Sequence, residues 1–573
     1  MTANTSTCRK LKMPYAIMFR SCFLARRHCK TKWRCNRFGA VSVIVLHRRS
    51  FTAGNMNPMK RLIPALALAL LSAQALAQTG PIAEIGQGRV RGFSEDGIHN
   101  FRNIPFAAPP VGELRWRRAQ PAPGWADIRD ATAFGAVCPQ RLMPGRNAEG
   151  VQDRPMNEDC LYLNVWTPDL NPPEPLAVMV WILPGGFTFG DAGMPVYNGS
   201  GLAGQGVVVV TFNQRLGFLG QFAHPALSAL EPDHAIGNFY LSDQVAALEW
   251  VRDNISAFGG DPDNVTIFGM SAGGVAVNYL LALPAAGGLF HKAASQSSNV
   301  RPYRPRQLSD DRDGRPSLET SGQDMVRSLG VEGSGEEAVT GLRALSWRKI
   351  FDYQDQLPLG SMNPAVDGRF LPEALGPVFS QGRQHDVPYL TGATSWEGSL
   401  LMRMNNADVL LDALDISRDE IRDLYGEVDE RTILNNLEFD TFFGSQRWLA
   451  RQHARAGKPT FLYHFDYVYE KQYGSVPGAF HGAETAHVFK TLDTRAPDGP
   501  TEQDWAMSEL VSAYWVSFAK TGDPNGGGRP VWPLHTTDSD ILLDFGQDGV
   551  RPVIGLERRR MQFMENRYDS GRM

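Results

Sequence analysis

The stretch that most constrains this chain runs from Val265 to Leu283. An apolar strand, Val265-Thr266-Ile267-Phe268, leads into Gly269-Met270-Ser271-Ala272-Gly273-Gly274, and a helix-like run follows up to Pro284. A serine with glycines two before and two after it, between strand and helix, has the pattern of a nucleophile elbow, a tight turn that pushes Oγ out of a sheet. The glycines fit a place where a Cβ would meet the neighbouring strand or helix. The helix start leaves backbone N–H groups unpaired, so the N–H of Ala272 is free to donate to an oxyanion. In a chain with 57 glycines the bare pattern also occurs in ordinary turns.

Such an elbow belongs in a sheet, and the chain supplies one. Apolar runs at Ala177 to Leu183, Val207 to Phe212, Val265 to Phe268, Tyr389 to Thr391 and Thr460 to Phe465 read as strands. Leu241 to Val251, Ser271 to Leu283 and Trp505 to Lys520 read as helices. Short buried strands alternating with helices predict an α/β fold with a large, mostly parallel sheet covered by helices on both faces. The stretches Phe106 to Pro123 and Pro139 to Pro155, rich in Pro and Gly, read as surface loops. From Pro81 onward no linker, repeat or composition break marks a domain boundary.

The start of the chain reads differently. Residues 1–55 hold twelve Lys/Arg, no Asp or Glu, and four of the six cysteines. From Met59 the order Lys60-Arg61, an apolar run Leu62 to Leu71, and Ala75-Leu76-Ala77 matches the three regions of a secretory signal. The expectation is a mis-assigned upstream extension over 1–55, a signal peptide over 56–77 with cleavage after Ala77, and a single catalytic domain over 78–573. An Arg-rich transit peptide is the competing reading. The spacings of Cys8, Cys22, Cys29 and Cys35 do not make paired zinc knuckles. Removing the leader takes away fourteen of the 57 basic residues and none of the 61 acidic ones, leaving a net charge of −18. That surface disfavours nucleic acid as a partner. No apolar run reaches the roughly 18 to 20 residues that span a bilayer, so a secreted or periplasmic protein without stable membrane insertion is expected. Its two remaining cysteines, Cys138 and Cys160, would bridge in an oxidising compartment.

A serine nucleophile needs a base, and the base an acid, in the hydrolase order serine, acid, histidine. His481 lies in a glycine-flanked loop, Gly478-Ala479-Phe480-His481-Gly482-Ala483-Glu484, after the strand Thr460 to Phe465; His487, His464 and His385 are alternatives. Glu397 follows the strand that begins at Tyr389, where sites gather in parallel sheets, with Asp367 and Asp466 as runners-up. The turn Leu183-Pro184-Gly185-Gly186-Phe187 offers a second set of oxyanion donors.

Four ordered motifs carry a resemblance. They are Asn103-Ile104-Pro105-Phe106-Ala107-Ala108-Pro109-Pro110-Val111-Gly112, Glu158-Asp159-Cys160-Leu161-Tyr162-Leu163-Asn164-Val165, Asn213-Gln214-Arg215-Leu216-Gly217-Phe218, and the run from Asp253 to Asn264 that enters the elbow. With them the chain resembles the type-B carboxylesterases, the cholinesterase and lipase relatives of the α/β-hydrolase fold, from Pro81 to Asp544. The resemblance implies a serine carboxylic-ester hydrolase that needs no metal or organic cofactor. It implies Ser271 as nucleophile, Glu397 as acid, His481 as base, and Gly185, Gly186 and Ala272 as the oxyanion hole. It also implies a Cys138–Cys160 disulfide and ion pairs Arg115–Glu158 and Arg215–Asp243. Small-molecule esters are then the expected substrates; a lipase acting on long-chain acylglycerols and a non-catalytic cholinesterase-like binding module are the alternatives.

Three departures from that family pattern stand out. Met270 takes the place of the usual glutamate before the serine, which removes a charge and should weaken cation steering. Leu183-Pro184 replace the start of the usual glycine-rich oxyanion turn, and proline brings no N–H. Gly150 stands where choline-binding relatives carry tryptophan, which points away from a cholinesterase.

Overall fold

The chain's continuous apolar strands are explained by a sheet buried on both faces. In the computed structural model, Val178, Val180 and Ile182 enter one hydrophobic core while Ala177, Met179, Trp181 and Leu183 enter the other. Val208, Val210 and Phe212 split in the same way from Val207 and Val209. Alternate side chains point to opposite faces of a strand, so neither face can be polar. The structure describes residues 80–573 apart from 143–149, 231–236, 313, 332, 334, 357–361 and 497. The expected upstream extension and signal peptide lie outside the described residues.

The large sheet has eleven strands among the described residues: β1 (Phe93–Glu95), β2 (Ile98–Pro105), β3 (Tyr162–Thr167), β4 (Leu176–Ile182), β5 (Val208–Phe212), β6 (Gly260–Met270), β7 (Lys292–Gln296), β8 (Tyr389–Thr394), β9 (Thr460–Phe465), β10 (Ile541–Gly546) and β11 (Gly549–Ile554). Their order across the sheet is β11-β10-β9-β8-β7-β6-β4-β5-β3-β2-β1. The block from β10 to β5 is parallel throughout, and the pairs toward each edge are antiparallel. The helices that matter for the site are α1 (Phe239–Asn254), α2 (Ala272–Ala282), α3 (Glu430–Arg455), α4 (Ala483–Phe489), α5 (Glu502–Thr521) and α6 (Arg558–Asp569).

The strands and helices anticipated from the apolar runs are present: the elbow strand, β8, α1 and α5 extend beyond the expected bounds, β9 matches them, β4 is shifted by one residue, and β5 and α2 are slightly shorter. The elbow strand starts at Gly260, but Asp261 to Asn264 bulge out of its pairing with β4, where Leu176 pairs with Gly260 and Val178 with Val265, and Asp263 N–H donates back to Asp261 Oδ1 at 3.0 Å. The helix α3, at 26 residues, was not anticipated. It mixes apolar with polar and charged residues around its whole circumference, yet it is buried over much of its length against β8, α6 and the segment that carries Glu397.

Two charged pairs tie the loops to this frame. Arg215 grips Asp243 of α1 through Nε at 3.0 Å and Nη2 at 2.6 Å, and its own backbone N–H donates to the same carboxylate at 2.9 Å. Arg115 and Glu158 pair side by side, both buried. Cys138 and Cys160 are joined by a disulfide, with Cα atoms 5.1 Å apart. No helix among the described residues is long and apolar enough to cross a membrane.

Candidate active site

The elbow forms because the backbone there has no room for side chains. A Cβ on Gly269 would fall 2.6 Å from the carbonyl carbon of Gly273, and one on Gly273 would collide with the carbonyl oxygen of Ile182. With both positions bare, the chain reverses over one residue. Ser271 takes φ 57° and ψ −123°, a conformation that non-glycine residues rarely hold outside functional turns. Two hydrogen bonds fix it: Ser271 N–H donates to Gln296 O at 2.8 Å, and Val275 N–H donates to Ser271 O at 2.8 Å. The serine thus stands at the carboxyl end of β6 and the start of α2.

Glu397 arrives from the next part of the sheet. It begins a short 3-10 turn, Glu397–Leu401, just after β8 and is fully buried. Its Oε1 accepts from the N–H and the hydroxyl of Thr394, both at 2.9 Å. Its Oε2 accepts from Nδ1 of His481. The histidine loop is stitched to the acid's loop by Trp396 N–H to Ala479 O, Ala479 N–H to Ser395 Oγ, and His481 N–H to Ser399 Oγ, each 2.9 Å. Glu397 fixes the ring and its tautomer, so Nε2 is the nitrogen left to accept a proton. Nε2 of His481 is buried and has no hydrogen-bond partner among the described residues.

Contact between elbow and histidine loop comes from their neighbours. The side chain of Met270 packs on Gly482, with Sδ 3.0 Å from where a Cβ on that glycine would stand. The ring of Phe442 meets His481 edge-on, centroids 5.3 Å apart. Burial pushes the His481 pKa down, but the charge and hydrogen bond of Glu397, with Glu484 and Glu438 behind, outweigh it, and the net direction is upward. Burial also pushes Glu484 up to about 7 and Glu438 up to about 7, in each case with the charge of Glu397 adding to the effect.

The glycine turn after β4 faces the same region of the sheet. Gly185 has φ +108° and Gly186 φ +60°, and a Cβ on Gly185 would strike the carbonyl oxygen of Phe189. Thr188 and Phe189 N–H groups bond the Gly185 carbonyl at 3.0 and 3.2 Å, which closes the turn. The N–H groups of Gly185, Gly186 and Ala272 make no hydrogen bond among the described residues. Pro184 costs the turn one donor, but it does not change the two glycines.

The structure gives the alternative residues other work. His487 lies in α4, donates Nδ1–H to Ala483 O at 3.1 Å, and is pushed down to about 4 by burial. His464 pairs with Asp544 at 2.8 Å, and His385 donates to Leu283 O at 2.8 Å. Asp367 caps a turn by accepting from the N–H groups of Arg369, Phe370 and Leu371. Asp466 is exposed on a polar cavity beside Asp544 and Asp548. Among the described residues no three His, Cys, Asp or Glu side chains gather as a metal-binding group. Two residues escaped sequence reasoning, Glu484 and Glu438. The first sits three residues after His481, where a helix turn returns it to the same site, so its spacing was a usable signal. The second comes from α3 and had none.

Comparison with known proteins points to a single family. The chain matches the model of the "Carboxylesterase family" over residues 79–440 and 427–564. It is 36% identical over 491 residues to the para-nitrobenzyl esterase of Bacillus subtilis (strain 168), covering 81% of this chain and 95% of that protein. It is 33% identical over 504 residues to the fumonisin B1 esterase of Sphingopyxis macrogoltabida, covering 82% of this chain and 87% of that protein. A solved structure of a PNB esterase superposes with a TM-score of 0.71 at 32% identity, over 85% of this chain and all of the other. With its elbow, its mixed sheet and these relatives, the chain belongs to the carboxylesterase family.

Proposed function

We propose that this carboxylesterase cleaves small-molecule carboxylic esters through an acyl-enzyme on Ser271, with His481 as the proton carrier and Glu397 as its orienting acid. Ser271 Oγ attacks the ester carbonyl carbon as Nε2 of His481 takes its proton. The carbonyl oxygen becomes an oxyanion that the N–H groups of Gly185, Gly186 and Ala272 receive. Collapse of the intermediate breaks the bond to the alcohol oxygen, which takes the proton from His481. Water, deprotonated by the same nitrogen, then attacks the acyl-enzyme carbonyl; the second intermediate breaks its bond to Ser271 Oγ, which takes the proton back from Nε2 as the carboxylic acid leaves.

The observation that carries this reading is the pairing of His481 Nδ1 with a fully buried Glu397, which leaves Nε2 unpaired in a loop packed on the elbow. Removal of a triad nucleophile leaves only the residual catalysis of binding and the oxyanion hole. The test is a p-nitrophenyl ester chain-length series on protein starting at Gln78, repeated with Ser271→Ala. The variant should fold and show no burst and almost no turnover. Undiminished turnover would remove Ser271 from the mechanism. A sharp rise in rate above the substrate's solubility limit would move the assignment to a lipase.

We also propose that the native protein begins at Met56 or Met59, loses its signal after Ala77 and acts outside the cytoplasm as one domain over 78–573. The basic n-region, apolar core and Ala-Leu-Ala site support it, and so does a bridged Cys138–Cys160 pair, since disulfides persist in oxidising compartments. Exported protein whose first residue lies upstream of Met56 would overturn this start.

A further inference from the structure

Helix α3 lays one stripe of side chains along the Glu397–His481 pair. Asn435 accepts from Trp396 Nε1 at 3.2 Å, and its Cα would be 2.7 Å from a Cβ on Gly398, so it touches both residues that flank Glu397. Seven residues later Phe442 meets the His481 ring. Glu438 is three residues after the first and four before the second, which on a helix places it between them on the same face. It is only 7% exposed.

The charged groups that Glu438 faces come from three different segments. Glu397 lies in the turn after β8, His481 in the loop after β9, and Arg301 in the segment after β7. Glu484 of α4 faces His481 from its own side. Tyr463 of β9, whose element also packs against α3, donates its hydroxyl to Glu484 and lies near Glu397, while further ionisable groups on these elements have partners of their own. Arg560 of α6 pairs with Asp440, Glu565 of α6 with Arg447 and Arg451, His464 of β9 with Asp544, and Tyr389 of β8 donates to Asn278.

Resting on the assignment of His481 as base, we infer that Glu438 is a positioning residue that acts through His481, a second carboxylate stabilising the imidazolium that forms when Ser271 gives up its proton. Its placement makes the effect conditional on pH. Burial pushes Glu438 up to about 7, with Glu397 adding and His481 and Arg301 opposing. Its charge is therefore gained or lost around pH 7, and because Glu438 faces His481 the two protons are coupled. Above that range the charged Glu438 holds the imidazolium; below it Glu438 is neutral and the help is gone. The acid limb of activity should be broad in the natural protein, because protonation of Glu438 lowers the basicity of His481 as the pH falls.

The experiment is kcat/KM against pH, from about pH 5 to 9, on a soluble p-nitrophenyl ester for the full chain, Glu438→Gln, Glu438→Asp and His481→Ala. Glu438→Gln should show a single one-proton limb with its midpoint lowered by about half a unit, and should keep about two- to threefold more of its plateau rate near pH 7. The two curves should converge at low pH, where position 438 is uncharged in both proteins. Glu438→Asp keeps the charge and should keep the broad limb, whereas a packing role would make the shorter Asp worse than the isosteric Gln. A Gln limb that matches the natural one, or an Asp limb displaced as far as the Gln limb, overturns the inference. Full activity in His481→Ala overturns the reading beneath it; loss of activity there with an unmoved Gln limb overturns this inference alone. If Glu438→Gln fails to fold, carbon-13 NMR of His481 in the natural protein decides: a two-step titration supports the coupling and a single step overturns it.

Discussion

Met270 lays its side chain over Gly482, so the residue before the elbow serine and the residue after the loop histidine are in direct contact. Sδ of Met270 is 3.0 Å from the place a Cβ on Gly482 would take, and the terminal methyl is nearer still. Gly482 has φ +78° and caps the start of α4. The spacing between elbow and histidine is thus set by a glycine and a thioether rather than by a hydrogen bond.

Gly482→Ala should therefore act on the rate more than on the fold. The added methyl meets Met270 and forces either the elbow or the His481 loop to move, and a displacement of about 1 Å at such a site costs about 10² in rate. Steady-state kinetics should show kcat/KM down by about 10² with most of the cooperative unfolding transition retained. Adding Met270→Ala should restore part of the loss, because it removes the atoms the methyl strikes. An unchanged double variant would mean that the positive φ, and not the contact, is the obstacle.

Met270→Glu tests the family departure from the other side. A carboxylate beside Ser271 attracts a cationic substrate and should raise kcat/KM for a cationic ester relative to its neutral isostere by about three- to tenfold at low salt. The gain should shrink as ionic strength rises, since added salt shortens the reach of the charge. Equal ratios in both proteins would show that the substrate's cation does not pass near this position.

The parts of this site that could be read from the chain are those that rest on local geometry. The Gly-x-Ser-x-Gly turn, the strand before it and the glycines after β4 declare themselves because bare backbone and apolar alternation are written in consecutive residues. His481 and Glu397 were narrower inferences: strand ends and chain order put them ahead of His464 and Asp367, whose own partners, Asp544 and a backbone turn, show why they serve elsewhere. Glu438 could not be read at all. Its role depends on how a 26-residue helix with polar residues on every side is laid across the sheet, and no periodicity in α3 announces that burial. Other strands were missed for a related reason: β1 at the edge is short and partly exposed, and β7, though buried in mid-sheet, reads Lys292-Ala293-Ala294-Ser295-Gln296 and carries little apolar signal.

The disulfide makes a prediction about stability. Cys138 and Cys160 are 22 residues apart and packed with Leu216, next to the Arg115–Glu158 pair. Replacing both by serine frees a loop in the unfolded chain and should lower the unfolding free energy by about 2–4 kcal/mol. Urea titrations of the two proteins, with reductant added to the natural one as a third arm, check it: the reduced natural protein and the double variant should share a midpoint.

Glu484 makes the last prediction, and its sign can be worked out fully. The carboxyl is wholly buried in α4, accepts from the Tyr463 hydroxyl at 3.2 Å and the Ser297 hydroxyl at 3.4 Å, and is pushed up to about 7 by burial with the nearby charge of Glu397 adding. A carboxyl with a raised pKa holds its proton in the folded state after the unfolded chain has lost it. Between its ordinary value near 4.5 and about 7 the folded state binds more protons, so this group's contribution to stability falls as pH rises through that window. Glutamine keeps the acceptor oxygen and removes the charge. Glu484→Gln should therefore be near neutral at pH 5 and stabilising at pH 8, by about 1–3 kcal/mol. Raising the pH past 8 adds nothing further, because the buried charge is then fully formed. Thermal and urea unfolding at the two pH values read the difference directly, and a variant that gains the same amount at both would show that Glu484 is already ionised at pH 5.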